Sequence, residues 1–123
     1  MSRETSIKIA SVILFIHGFI ELVGALLLLA SINGFLSFYF QGTVGRTIFM
    51  AVLSAIFGSS RLIASYKIWL KKKWGIVFGI VLSVVTMIEA PSIYPFGVMD
   101  LLLSTIVLAS LLHAWFGDEI ILK

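Results

Sequence analysis

Apolar residues run along this chain in four long blocks separated by short polar ones. The blocks are roughly Ile7 to Ile32, Thr47 to Leu70, Trp74 to Ala90 and Val98 to Phe116. About 20 apolar residues in a helix cross a hydrocarbon core about 30 Å thick, so each block reads as a membrane span; the third is the shortest and suits a thin bilayer. "KKK" (Lys71 to Lys73) divides the second block from the third with almost no loop. "APSIYPFG" (Ala90 to Gly97) holds both prolines and divides the third from the fourth; Pro91 cannot continue a helix without losing a backbone hydrogen bond. The pattern predicts an all-α fold, a four-helix transmembrane bundle running up-down-up-down. Residues 1–123 form one domain, with sequential helices as antiparallel neighbours.

A cleaved signal peptide is the rival reading of the first block. Its apolar run exceeds the usual length of about 7–15 residues and no small-x-small cleavage site follows, so the expectation is that it is retained.

Composition agrees with lipid as the solvent. The chain is 60% hydrophobic and 12% charged, with a mean hydropathy of +1.14. A soluble domain carries roughly a quarter charged residues, and too few polar side chains are present here to coat a water-soluble sphere. The pI near 9.5 comes from a few lysines with a simpler explanation than nucleic acid. Without cysteine there is no disulfide, thiolate nucleophile or thiolate metal site.

The lysines fix an orientation. If the spans alternate, Arg3, Lys8, Lys67, Lys71, Lys72, Lys73 and Lys123 fall on one side and only Arg46 on the other. Positive charge collects on the cytoplasmic side, so both termini of an integral membrane protein are expected there. The outer loop, Asn33 to Arg46, contains Phe35, Phe38, Tyr39 and Phe40, read as an aromatic belt at the headgroups or as a lid over an outward-facing cavity.

The polar residues inside the blocks are the candidate chemistry. His17 falls about 15 Å above the inner boundary at 1.5 Å per residue, near the midplane, and Glu21 one turn further out. The two share a helix face with Ala10 and Gly24. A charge at the bilayer centre costs about 2.5–3.5 kcal/mol even on a lenient scale, so this face is expected to point into the bundle. On the second block Ser54, Gly58, Arg61 and Ser65 form one small-or-polar stripe. Small residues let helices approach closely in lipid. Arg61 either reaches Glu21 and His17, a bidentate match for the carboxylate, or snorkels to inner headgroups. Gly75, Gly79 and Ser83 make a small-xxx-small ladder, and Glu89 lies close to its face. Asp100 and Ser104 share the outer end of the fourth span, where Asp100 is read first as complementing the helix N-terminus. His113 sits at the inner end and is read as interfacial.

The acidic groups Glu21, Glu89 and Asp100 therefore fall in the outer half, and Arg61 and His113 in the inner half. This arrangement hints at a two-plus-two internal repeat. His17 and His113 differ in height by about 10 Å, a poor axial pair for haem. No Glu-x-x-His pattern supports a di-iron site. No nucleophile motif or Gly-rich phosphate loop supports an enzyme. No metal and no cofactor is expected.

"HGFIELVGALLLL", "SYKIWLKKKWGIVFGIVLS" and "VMDLLLSTIVLASLL" together resemble uncharacterised small four-helix integral membrane proteins of archaea and bacteria. Glu21 with Gly24, Lys73-Trp74-Gly75 and Asp100 carry the resemblance, which implies the fold and no activity. "IELVGALLL" is also similar to the Glu-x-x-Gly stretch of small multidrug resistance transporters. The chain departs from those in lacking a second-span proline and a fourth-span glycine ladder, and in its clear charge bias. Their substrate-binding role transfers only as a hypothesis for Glu21.

The expected function is a small binding or transport module in which Glu21, His17 and Arg61, with Glu89 and Asp100 as further candidates, handle a proton, an ion or a small polar ligand. The alternative is an accessory subunit of a larger membrane complex, or a homo-oligomer, packing through the small-residue faces at Gly58, Gly75, Gly79 and Ser83. In reporter fusions both ends of the chain should score as cytoplasmic; an active external reporter at either end would sink the four-span reading.

Overall fold

A computed structural model describes residues 2–31, 44–89 and 97–116. They form four helices: α1 (Arg3–Ser31), α2 (Val44–Trp69), α3 (Lys73–Glu89) and α4 (Gly97–Trp115), with no strand among the described residues. Three of them, α1, α2 and α4, are long and apolar enough to cross a membrane. The fourth, α3, has 17 residues and extends about 25 Å. Phe35, Phe38, Tyr39 and Phe40, both prolines and Lys123 lie outside the described residues.

Helix α1 begins four residues before its apolar block, because hydropathy marks a span while capping marks a helix. The Ser2 hydroxyl accepts the Thr5 N–H at 3.1 Å, satisfying one of the unpaired donors of the first turn. At the same end of the bundle, α2 stops through a Schellman turn. The Lys72 N–H reaches the Lys67 carbonyl at 3.0 Å and the Lys71 N–H the Ile68 carbonyl at 2.8 Å. Lys71 occupies the left-handed position, φ 60°, where glycine is usual; for an L-residue this costs about 1–2 kcal/mol. Its ammonium forms an exposed ion pair with Glu4 of α1. Lysines thus make the turn that the sequence, lacking glycine at this point, announces only by charge.

The helices contact one another in a ring: α1 with α2, α2 with α3, α3 with α4, and α4 with α1. Partners pair in opposite sequence order. Along α1 and α2, Ser11 meets Ser65, Gly18 meets Gly58 and Glu21 meets Ser54. Along α1 and α4, Arg3 meets Ala114 and His17 meets Asp100. Ile7, Leu14, Ile68, Ile76 and Leu111 fill the centre. Phe15, Phe19, Leu26, Phe49, Ile88 and Leu102 point outwards, an apolar exterior too continuous for a water-facing surface.

Close approach replaces bulk at the α1–α2 crossing. A Cβ on Gly18 would lie 2.8 Å from the Gly58 carbonyl oxygen, and one on Gly58 would lie 2.9 Å from that of Gly18. The ladder on α3 also faces inwards: Gly75, Gly79 and Ser83 are buried, and a Cβ on Gly79 would come within 2.8 Å of Leu111 and 2.9 Å of Ile68 side-chain methyls.

The obstacles rank the substitutions. Gly18→Ala should cost more than Gly79→Ala, because a backbone carbonyl cannot swing aside as a leucine methyl can. Gly79→Leu should destabilise by about 1–3 kcal/mol through overpacking. Gly45, with nothing within 4 Å of its Cβ position, is the control and should tolerate alanine. Unfolding of the four variants in detergent checks the order.

Candidate functional site

The site begins with Arg61, one small-residue turn below the Gly18–Gly58 crossing on α2. Arg61 is 2% exposed, so its donors must find protein oxygens. One arm bonds the Glu21 carboxylate of α1. The other bonds the Thr86 hydroxyl of α3, which in turn donates to the Leu82 carbonyl at 2.8 Å. The Phe57 ring lies 5.6 Å from the guanidinium carbon and adds a cation–π face. Glycines admit this arrangement: without a side chain at position 58, Glu21 and Leu22 pack directly on the α2 backbone.

Glu21 then hands the connection to His17, one turn back on the same helix. Its carboxylate oxygen, already bonded to Arg61, is 3.3 Å from His17 Nε2. The same Nε2 lies 2.9 Å from Oδ1 of Asp100 in the first turn of α4. One imidazole nitrogen therefore stands between two carboxylates that belong to different helices. His17 is 1% exposed, whereas the side chains of Glu21 and Asp100 are 18% and 27% exposed. The buried imidazole thus connects to more open carboxylates. Glu89, the last residue of α3, is close enough to Arg61, Asp100 and Glu21 to interact with them electrostatically.

Of the residues singled out in sequence, His17, Glu21, Arg61 and Asp100 come together in one cluster, hydrogen-bonded from Arg61 to Glu21 and between His17 and Asp100 and joined by the 3.3 Å approach of His17 to Glu21; Glu89 stands beside it. Arg61 takes the route to Glu21 rather than the snorkelling one; it meets His17 only through that carboxylate. Asp100 opens α4, as a residue complementing the helix N-terminus would, and also bonds across to α1. His113 is elsewhere, its Nδ1 2.7 Å from the Ser6 hydroxyl, at the end where Arg3 donates to the Ala114 carbonyl at 3.0 and 2.7 Å.

Two partners were not read from sequence as part of the site. Thr86 follows Ser83 by three positions and so extends the Gly75–Gly79–Ser83 stripe; that spacing was the available signal. Ser54 donates to the Glu21 backbone carbonyl at 2.7 Å and anchors the turn that carries the carboxylate. All four members of the second-block stripe thus face α1. Comparison with protein-family models, curated proteins and solved structures finds no match to the chain, so the site is read from its geometry alone.

Glu21→Gln should take from buried Arg61 its directly bonded carboxylate and cost about 3 kcal/mol, the low end for a broken buried pair because Glu21 is not fully enclosed and Glu89 stays nearby. Adding Arg61→Leu should recover much of that loss, and a double variant no more stable than the single one would contradict the pairing. Thr86→Val, which strips one guanidinium arm of its acceptor, should cost about 1–3 kcal/mol in the same assay.

Proposed function

We propose that this chain is an integral protein of a prokaryotic cell membrane. All four helices cross the bilayer and both termini lie on the lysine-rich, cytoplasmic side. Its cluster of ionisable groups binds and passes a proton, or a small cation or polar ligand in its place. The observation that carries the reading is the single His17 nitrogen shared by Glu21 and Asp100.

The chemistry follows from counting charges. Three carboxylates, Glu21, Glu89 and Asp100, surround one permanent cation, Arg61, and one titratable imidazole, His17. Carboxyl groups in the cluster thus outnumber its permanent cation three to one. A surplus of negative charge in a low-dielectric setting draws in a proton or a cation, and ionisable groups held within a membrane serve ion and proton pathways by default.

His17 is suited to the transfer itself. Its Nε2 lies within reach of both carboxylates and can donate to either by a small rotation. Asp100, the most exposed of the three bonded groups, is the port to the outer side. Glu21 is the second acceptor, one turn further along α1 than His17, and its carboxylate also bonds Arg61.

The accessory-subunit reading has less support. The Gly75–Gly79–Ser83 ladder such a subunit would offer to a partner is buried against α2 and α4 of the same chain.

Reconstituted vesicles with an internal pH-sensitive dye test the proposal. An imposed proton gradient, with and without sodium or potassium on the opposite side, should decay faster in vesicles holding the protein than in empty ones. His17→Gln and Asp100→Asn should abolish the difference, while Lys72→Gln should retain it. Decay indistinguishable from that of empty vesicles under every ion condition would overturn the reading.

A further inference from the structure

The chain has two histidines, and each bonds across the seam between α1 and α4. His17 of α1 meets Asp100 of α4. Towards the opposite end His113 of α4 meets Ser6 of α1, Nδ1 to Oγ at 2.7 Å. We infer that a proton released from the cluster leaves by this second pair: it passes a water held at Ser83 and crosses the Ser6 hydroxyl to His113, the inner port. The inference rests on the proton reading above and supplies the half of the route that the cluster does not span.

From Ser6 to His17 is about 16 Å along α1. Buried Leu14 and Val107 belong to the core of that stretch. Ser83 of α3 lies at the same depth, 2% exposed, and its Oγ has no hydrogen-bond partner among the described residues. Its height follows from its neighbours on the same helix. A Cβ on Gly79, one turn inward, would lie 3.6 Å from a Leu14 methyl, and Thr86, three residues outward, bonds Arg61. Ser83 therefore stands between Leu14 and the guanidinium. Threonines nearby are satisfied within their own helix, Thr86 at the Leu82 carbonyl and Thr105 at the Leu101 carbonyl. Ser83 keeps a donor and acceptor sites unused, the kind of buried group that an interior water satisfies.

The inner pair joins the interior to the surface, because Ser6 is fully buried and His113 is exposed. Buried Ser110, one turn outward from His113 on α4, adds a hydroxyl on the way. A serine hydroxyl accepts one proton while giving up its own. A proton arriving at Ser6 Oγ from interior water sends the serine's own proton to His113 Nδ1, and the ring releases its Nε2 proton to water at the inner face. One proton enters and one leaves; tautomer exchange through water restores the starting state. Ser6 Oγ also lies 3.3 Å from the Ser2 carbonyl, so its proton has two acceptors to turn between.

Ser83→Ala separates this route from packing. It removes an unpartnered hydroxyl, so the bundle in detergent should unfold no more easily than the parent. Vesicles holding it should nonetheless lose most of the protein-dependent decay of a proton gradient. His113→Gln still offers Ser6 a hydrogen bond but has no group that titrates, and it should lose as much. His113→Glu, which titrates, should recover a large part. Parent-like decay in Ser83→Ala or in His113→Gln would overturn the route while leaving the cluster's role, read from His17→Gln, intact. Equal loss with Gln and Glu at position 113 would overturn the inner port in favour of a purely structural bond. A parent no faster than empty vesicles would overturn this inference together with the proton reading.

Discussion

A guanidinium almost entirely removed from solvent sets the terms for this fold. Arg61 cannot lose its charge and cannot remain buried without acceptors, so oxygens must be brought to it from other helices. Glu21 comes from α1 and Thr86 from α3. The α1–α2 crossing has to be tight enough for Glu21 to arrive, and glycine at 18 and 58 makes it so. Once Glu21 is in place, His17 is carried with it one turn away, and His17 in turn holds Asp100 at the start of α4. A single buried cation thus connects all four helices through oppositely charged or hydrogen-bonding partners.

Packing elsewhere follows the same economy of polar groups. Where helices meet an apolar surrounding, no hydrophobic gain separates helix contact from lipid contact, and small residues hold the interfaces. The Ser11–Ser65 exchange, the Ser54 bond to the Glu21 carbonyl and the inward glycine ladder are three forms of that solution. Along the bundle, the ionisable groups run from His17 and Arg61 to Asp100, and the lysines of α1 and α2 lie towards the opposite end.

What the sequence by itself determined is what depends on one helix at a time. Four apolar blocks gave four helices, and the four-residue spacing of His17 and Glu21 placed them on one face. The Ser54–Gly58–Arg61–Ser65 stripe and the Gly75–Gly79–Ser83 ladder marked inward faces in the same way, because residue period and rise fix angle and height on any single helix. Neither quantity says how far one helix is rotated towards another. That rotation decided that His17 bonds Asp100, 83 positions away, that Thr86 completes the guanidinium's partners, and that His113 joins Ser6 instead of the cluster. It also decided that the α3 ladder is closed off inside the chain and that a groove opens beside Trp69. These outcomes belong to tertiary structure because a buried charge selects its partner by three-dimensional reach, and reach across helices is not written in the spacing along any one of them.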